Sequence, residues 1–229
     1  MAAHLPAVAD IVFYDWPYSP FCMKVRAILD WKDIEYRTVN PLAARGLLRT
    51  RGTGKVPAIQ IDGLFVTDST NIALALEERF PEPPLLPSSS RDRGICLAIE
   101  DWADESLYFI GLYYRWIEKE GRKPVAGVFG SSLKGRFAYR YYSRLIARQL
   151  EGQGTLRKSP EHIRADLNRN LDAVRAMLDP GPYLLGDAPY LCDFALWGQL
   201  NYLNRTPIGG RAIRKRELVS NYVARVASL

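Results

Sequence analysis

The stretch Ile11-Val12-Phe13-Tyr14-Asp15-Trp16-Pro17-Tyr18-Ser19-Pro20-Phe21-Cys22 passes from a β-prone run into the mouth of a helix. Beyond it Val25, Ile28 and Leu29 recur at helical spacing, so a strand over 11–14 and a helix over 21–31 are expected. Ser19-Pro20 reads as the helix start, with serine at the cap and proline in the first turn, where its missing N–H is no loss. A helix start leaves backbone N–H groups unpaired at the positive end of the helix dipole, and this favours negative charge. The Ser19 hydroxyl and the Cys22 thiol both lie there. A sulfur anion suits that place, whether it belongs to Cys22 or to a visiting thiol held by Ser19.

Working outward, Glu35–Val39 reads as a second strand, and Pro57–Ile61 and Leu64–Thr67 flank Asp62-Gly63, the strongest short hairpin signal. Asp68-Ser69-Thr70 then offers helix caps before the apolar run Ile72–Leu76. The pattern is β-α-β followed by β-β-α. Residues 81–90, PEPPLLPSSS, cannot continue a helix and mark a linker between a first domain over 9–80 and a second over 91–229. Past the linker no strand pattern is evident. Ile163, Leu167, Leu171, Val174 and Leu178 recur at steps of three or four, with Ser159-Pro160 as cap and first turn, so the second domain is expected to be all-helical.

Within it, the stretch from Ile95 to Ile117 is rich in aromatics, among them Trp102, Tyr108, Phe109, Tyr113, Tyr114 and Trp116. Phe137, Tyr139, Tyr141 and Tyr142 follow later. Such rings at helical spacing build either a core or a wall for an apolar ligand. Glu100, Asp101, Asp104 and Glu105 read as a solvated face, because no histidine joins them as a metal ligand would.

Composition narrows the function classes. With 229 residues, 48% hydrophobic and 24% charged, the chain is globular in character. It has no apolar run long enough to span a membrane, and its start lacks a signal-peptide pattern, so a cytoplasmic protein with no membrane partner is expected. The three cysteines, Cys22, Cys96 and Cys192, are far apart and odd in number, which fits a reducing compartment rather than a disulfide framework. Two histidines, His4 and His162, make a histidine triad or multi-histidine metal site a poor reading, and no metal is expected. The net charge of +6 and pI near 9.2 suit an anionic partner. The bases stand in short groups such as Arg45, Arg49, Arg51, Lys55 and Arg211, Arg214, Lys215, Arg216, without a nucleic-acid motif. No nucleic-acid partner is therefore expected, and a small polycarboxylate explains the excess equally well.

Three motifs in order, Ser19-Pro20-Phe21-Cys22, Gly54-Lys55-Val56-Pro57 and Asp68-Ser69, resemble the thioredoxin-fold half of soluble glutathione transferases of the serine type. The segments Tyr183-Leu184-Leu185-Gly186-Asp187 and Leu191-Cys192-Asp193-Phe194-Ala195-Leu196 look like that family's helical domain. The resemblance runs from about Ile11 to Leu200. It implies an α/β thioredoxin-like domain with a mixed four-stranded sheet, followed by an all-α domain, in a homodimer. It also implies glutathione as co-substrate, whose activated thiol attacks a small electrophile. By the same resemblance Val56-Pro57 is a cis pair and the Val56 backbone meets the peptide of glutathione. Asp68 and Ser69 take its γ-glutamyl end and Lys55 a carboxylate, while the Ser19 hydroxyl donates to its sulfur. The electrophile is expected in a cleft between domains lined by Trp16, Tyr108 and Tyr114.

Each of these residues also has a plain structural reading: trans proline opening a strand for Pro57, helix caps for Ser19, Asp68 and Ser69, an exposed lysine for Lys55. Tyr18 and Tyr14 rival Ser19 for the catalytic hydroxyl. Ser19 through Trp31 is also similar to glutaredoxins, omega-type transferases and prostaglandin E synthase type 2, which carry Cys-Pro-Phe/Tyr-Cys. Here serine replaces the first cysteine, so Cys22 alone cannot form the internal disulfide of dithiol exchange. Thiol transfer through Cys22 stays as an alternative, as does a non-catalytic binding or regulatory protein on the same fold. Tyr190 stands where the family has a capping serine or threonine, which marks a divergent branch.

Overall fold

The computed structural model describes residues 9–179 and 181–229, so His4 lies outside the described residues. The chain forms two compact units, the first ending at Leu85 and the second running Leu86–Ser228.

In the first unit β1 (Ile11–Tyr14), α1 (Pro20–Trp31), β2 (Arg37–Val39), α2 (Arg45–Arg51), β3 (Ala58–Ile61), β4 (Leu64–Thr67) and α3 (Ser69–Arg79) follow in order. The four strands form one sheet in the order β2-β1-β3-β4, with β1 parallel to β2 and the β1–β3 and β3–β4 pairs antiparallel. Every residue of β1 is buried, as a central strand covered on both faces requires. Val12 and Tyr14 pack with Ala58 and with Leu48 of α2 on one face. Ile11 and Phe13, alternating with them, point to the other. Asp62 and Gly63 join β3 to β4 with φ of 49° and 89°, the two positive values a tight hairpin turn needs. Two differences from the sequence reading arise here. The helix α2 was not foreseen, because Arg45–Arg51 buries only Leu48 and carries no clear apolar stripe. The second strand begins at Arg37 rather than Glu35, where pairing with Val12 starts.

Lys32, just past α1, is buried, and its ammonium donates to Glu77 Oε2 at 2.8 Å and to the carbonyls of Phe80 at 2.5 Å and Pro83 at 2.7 Å. Glu77 in turn accepts from the N–H of Leu85. A buried cation is tolerated only when so surrounded, and these bonds draw residues 80–85 onto the first unit.

The second unit is helical. α4 (Ser90–Trp102) runs through a π-helical turn (Ala103–Leu107) into α5 (Tyr108–Leu112) and a second π-helical turn (Tyr113–Ile117). Then come α6 (Arg122–Val128), α7 (Leu133–Gln153), α8 (Pro160–Met177), α9 (Leu191–Asn204), α10 (Pro207–Arg214) and α11 (Glu217–Val226). No strand occurs here among the described residues; Tyr183 and Gly186 make one isolated bridge. α9 is the central helix, with twelve of its fourteen residues buried. The acidic reading of α4 needs correction: Glu100 and Asp104 are buried, and Asp104 Oδ1 accepts from Gln199 Nε2 of α9 at 2.9 Å. They share a face with Cys96, Ala103 and Leu107, the face that α9 covers. Tyr190 offers no side-chain cap to α9. Instead Asp193 accepts from the N–H groups of Leu184 at 3.0 Å and Tyr190 at 2.9 Å and from the Tyr222 hydroxyl at 3.1 Å.

Candidate functional site

The sheet register decides where the three motifs meet. Tyr14 at the end of β1 pairs with Ala58 at the start of β3, and Ala58 pairs with Thr67 at the end of β4. The chain leaving Tyr14, the chain entering Ala58 and the chain leaving Thr67 therefore stand at one end of the sheet. Those segments carry Trp16 to Cys22, Lys55-Val56-Pro57 and Asp68-Ser69 respectively.

Ser19 is the N-cap of α1, and its Oγ accepts from the N–H of Cys22 at 3.3 Å. That bond uses a lone pair and leaves the hydroxyl proton to donate. The loop before it is fixed at several points: the N–H of Ser19 donates to the Trp16 carbonyl at 2.9 Å, the N–H of Trp16 to Cys22 Sγ at 3.4 Å, and Arg26 to Asp15 at 2.5 Å. No acidic residue occupies the first turn of α1, so nothing there offsets the positive end of the dipole. Tyr18 is exposed, with its ring edge-on to Trp16 at 5.9 Å between centroids. Tyr14 is buried in the sheet, its ring edge-on to Phe65 at 5.6 Å between centroids. Cys22 is wholly buried, and loss of water pushes its thiol up to about 12, outweighing the N–H of Trp16, which lowers it. A thiol so held is protonated and poorly nucleophilic.

The Val56–Pro57 bond is cis. Val56 is partly exposed, Pro57 is buried and the Lys55 side chain is exposed. Asp68 takes φ of 76° and caps α3, its Oδ1 accepting from the N–H groups of Thr70 at 3.0 Å and Asn71 at 3.2 Å. Ser69 is buried beneath it.

Sequence reasoning missed one residue of this cluster. Lys24 of α1 is 1% exposed, and its ammonium donates to Ser69 Oγ at 3.3 Å and Thr70 Oγ1 at 3.2 Å. It ties the first helix to the start of the third. The signal was available: Lys24 stands four residues before Ile28, on the buried face of an otherwise apolar stripe, where a lysine is out of place unless something receives its charge.

Trp16 belongs to this end of the first unit, while Tyr108 and Tyr114 belong to the second. Tyr114 is buried edge-on against Tyr113, and burial raises its hydroxyl to about 12, so its ring is closed to a ligand. Tyr108 is half-buried beside Phe109, its hydroxyl likewise raised to about 12 by burial. Among the described residues no group of three or more histidine, cysteine or acidic side chains is arranged to hold a metal ion.

Residues 13–84 match the family model for the glutathione S-transferase N-terminal domain and residues 135–225 the one for its C-terminal domain. The isoprene-epoxide–glutathione S-transferase of Rhodococcus sp. (strain AD45) is 26% identical over 217 residues, covering 91% of each chain. A glutathione S-transferase of Triticum aestivum is 26% identical over 200 residues, covering 85% of this chain and 79% of its own. Among solved structures, the beta-etherase LigF of Sphingobium sp. strain SYK-6 superposes with a TM-score of 0.71 at 20% identity, covering 96% of this chain and 95% of LigF. Glutathione transferase GSTFuA3 of Phanerochaete chrysosporium gives 0.70 at 21% identity, covering 95% of this chain and 96% of its own. With both domains matched in order on the fold those structures share, the chain belongs to the glutathione S-transferase family.

Proposed function

We propose that this glutathione S-transferase holds glutathione across the end of its sheet and activates the thiol through Ser19. In this reading the γ-glutamyl carboxylate meets Ser69 and the first N–H groups of α3, and Asp68 balances the γ-glutamyl ammonium. The Val56 backbone pairs with the peptide and Lys55 faces the remaining carboxylate. The Ser19 hydroxyl donates to the sulfur at the positive end of α1, which favours thiolate over thiol. The thiol proton passes to water, and the thiolate attacks a small electrophile held close to it, with orientation supplying much of the rate gain. An epoxide is the first electrophile to try, since the Rhodococcus relative is named for one. Trp16 and the exposed Tyr18 are offered as walls for that second substrate. A homodimer in the cytoplasm completes the proposal.

The observation that supports it best is the meeting of Ser19, Val56 and Asp68-Ser69 at one end of the sheet, with the buried Lys24 ammonium under Ser69. Titration calorimetry with glutathione, followed by turnover of a general electrophile, tests it. Binding with turnover is expected; no binding at millimolar glutathione overturns it.

A further inference from the structure

Between Gly121 and Leu150 the chain carries seven arginines and lysines and not one acidic residue. Outside that segment 24 basic residues face 25 acidic ones, so the net charge of +6 resides in these thirty residues alone. Most of the segment is α7. Its Lys134, Arg136, Arg140, Arg144 and Arg148 make no ion pair among the described residues, whereas Lys158, Arg169, Arg211 and Arg216 elsewhere in the same unit each meet a carboxylate.

The same helix leaves large apolar side chains in water. Leu133 is 72% exposed, Phe137 71% and Tyr141 61%, at steps of four residues and so along one side of α7, with Leu145 continuing the line. Only Leu150 of the 21 residues is buried. A cleft of about 330 Å³ opens beside the helix, walled by the stacked rings of Trp116 and Tyr139 and lined by Arg122, Arg140 and Arg144. An exposed apolar and aromatic line flanked by unpaired arginines is the pattern of a helix that lies in a lipid interface, rings in the acyl boundary and cations among the headgroups.

We propose that α7 docks this protein peripherally on an anionic lipid surface, with Leu133, Phe137 and Tyr141 inserted and a lipid headgroup phosphate or carboxylate in the arginine-lined cleft. The charge complementarity selects this occupant. A second copy meets this face only through an element other than its own α7, because α7 set on α7 about a two-fold axis brings one acid-free strip against another, and like charges in contact oppose association. Nucleic acid satisfies the cations but leaves Leu133 and Leu145 in water. The cytoplasmic leaflet is negatively charged, so the surface required is the one a cytoplasmic protein meets. No described helix is long and apolar enough to cross a membrane, and none is needed. The proposal amends the expectation of no membrane partner and stands independently of the reading of Ser19.

The test is co-sedimentation of the full chain with vesicles of phosphatidylcholine containing phosphatidylserine, against vesicles of phosphatidylcholine alone. Binding to the first only, reversed by salt and not by free phosphate, is expected. Each cation removed lowers partitioning roughly fivefold, so R140Q/R144Q weakens it on the order of 25-fold. L133S/F137S abolishes it, while glutathione binding, measured as a control for folding, stays unchanged in both. Absence of wild-type binding, or unaltered binding by the variants, overturns the proposal. So does a wild-type dimer that L133S/F137S converts to monomer, which gives the face to a second copy, and so does release from the vesicles by free phosphate. Displacement from the vesicles by duplex DNA at the same salt assigns the face to nucleic acid and overturns it equally.

Discussion

Replacing Ser19 separates two roles that one hydroxyl fills. As the cap of α1 it accepts from the Cys22 N–H at 3.3 Å, a long neutral bond, and losing such a cap costs about 1 kcal/mol. As a donor to a bound thiolate it makes a hydrogen bond to a charged atom, a class that contributes about 1.5–3 kcal/mol. Since 1.36 kcal/mol corresponds to one pKa unit, Ser19→Ala raises the ionisation of bound glutathione by about one to two units. The rate follows the thiolate fraction. The loss is therefore about 10- to 100-fold at pH values below the wild-type ionisation and disappears once the pH exceeds the raised value. Ser19→Asp is the informative partner, because aspartate caps as well as serine but has no proton to donate and adds a negative charge beside the sulfur. It should keep the melting temperature of the wild type while raising the thiolate pKa further than alanine does. The assay is thiolate ultraviolet absorbance of the glutathione complex against pH, with thermal melts in parallel. An unchanged ionisation in both variants would refute the donor role and reduce Ser19 to a cap.

Further predictions follow from the surroundings. Lys24→Met keeps the packing of α1 but removes the ammonium beneath Ser69 and Thr70; glutathione affinity should fall about 10- to 100-fold with kcat little changed, read by calorimetry and kinetics. Cys22, Cys96 and Cys192 are all buried, so a thiol reagent near neutral pH should label none of them in the native protein and all three after denaturation. Rapid native labelling of Cys22 would revive the thiol-transfer alternative. Asp193→Ala strands two N–H groups and the Tyr222 hydroxyl and should lower stability by about 3–5 kcal/mol in urea unfolding. Burial holds the Asp193 carboxyl above its usual range, against the bonds that lower it. The native state thus binds that proton more tightly than the unfolded chain. Its contribution is full below the unfolded pKa and fades as pH rises through the folded one.

Much of the first unit was legible because its signals are local. Asp62-Gly63 specifies a turn by backbone conformation alone, and the run Ile11–Tyr14 needs no partner to be recognised as a buried strand. The three motifs carried the family because each sits where strand gives way to helix or helix to strand. What stayed hidden depends on partners distant in sequence. Glu100 and Asp104 looked solvated because their cover, α9, lies some 95 residues further on, as does the Gln199 amide that meets Asp104. Lys24 meets hydroxyls 45 and 46 residues away, which its neighbours in sequence do not foretell. The basic segment was hidden in another way: its bases are spread over thirty residues and form no cluster, and only the absence of any acid among them gives them meaning.

The three acceptors gathered by Lys32 redraw the border between the two halves of the chain. The proline-rich run from Pro81 to Ser90 looks like a loose tether, yet its first half is fastened through Phe80, Pro83 and Leu85 to the first unit. Only Leu86 to Ser89 separate the last of these anchors from the start of α4. A first half cut after Arg79 thus keeps the Glu77 carboxylate but strips the buried Lys32 ammonium of two of its three acceptors, so the folding unit to express alone is the one that runs through Leu85.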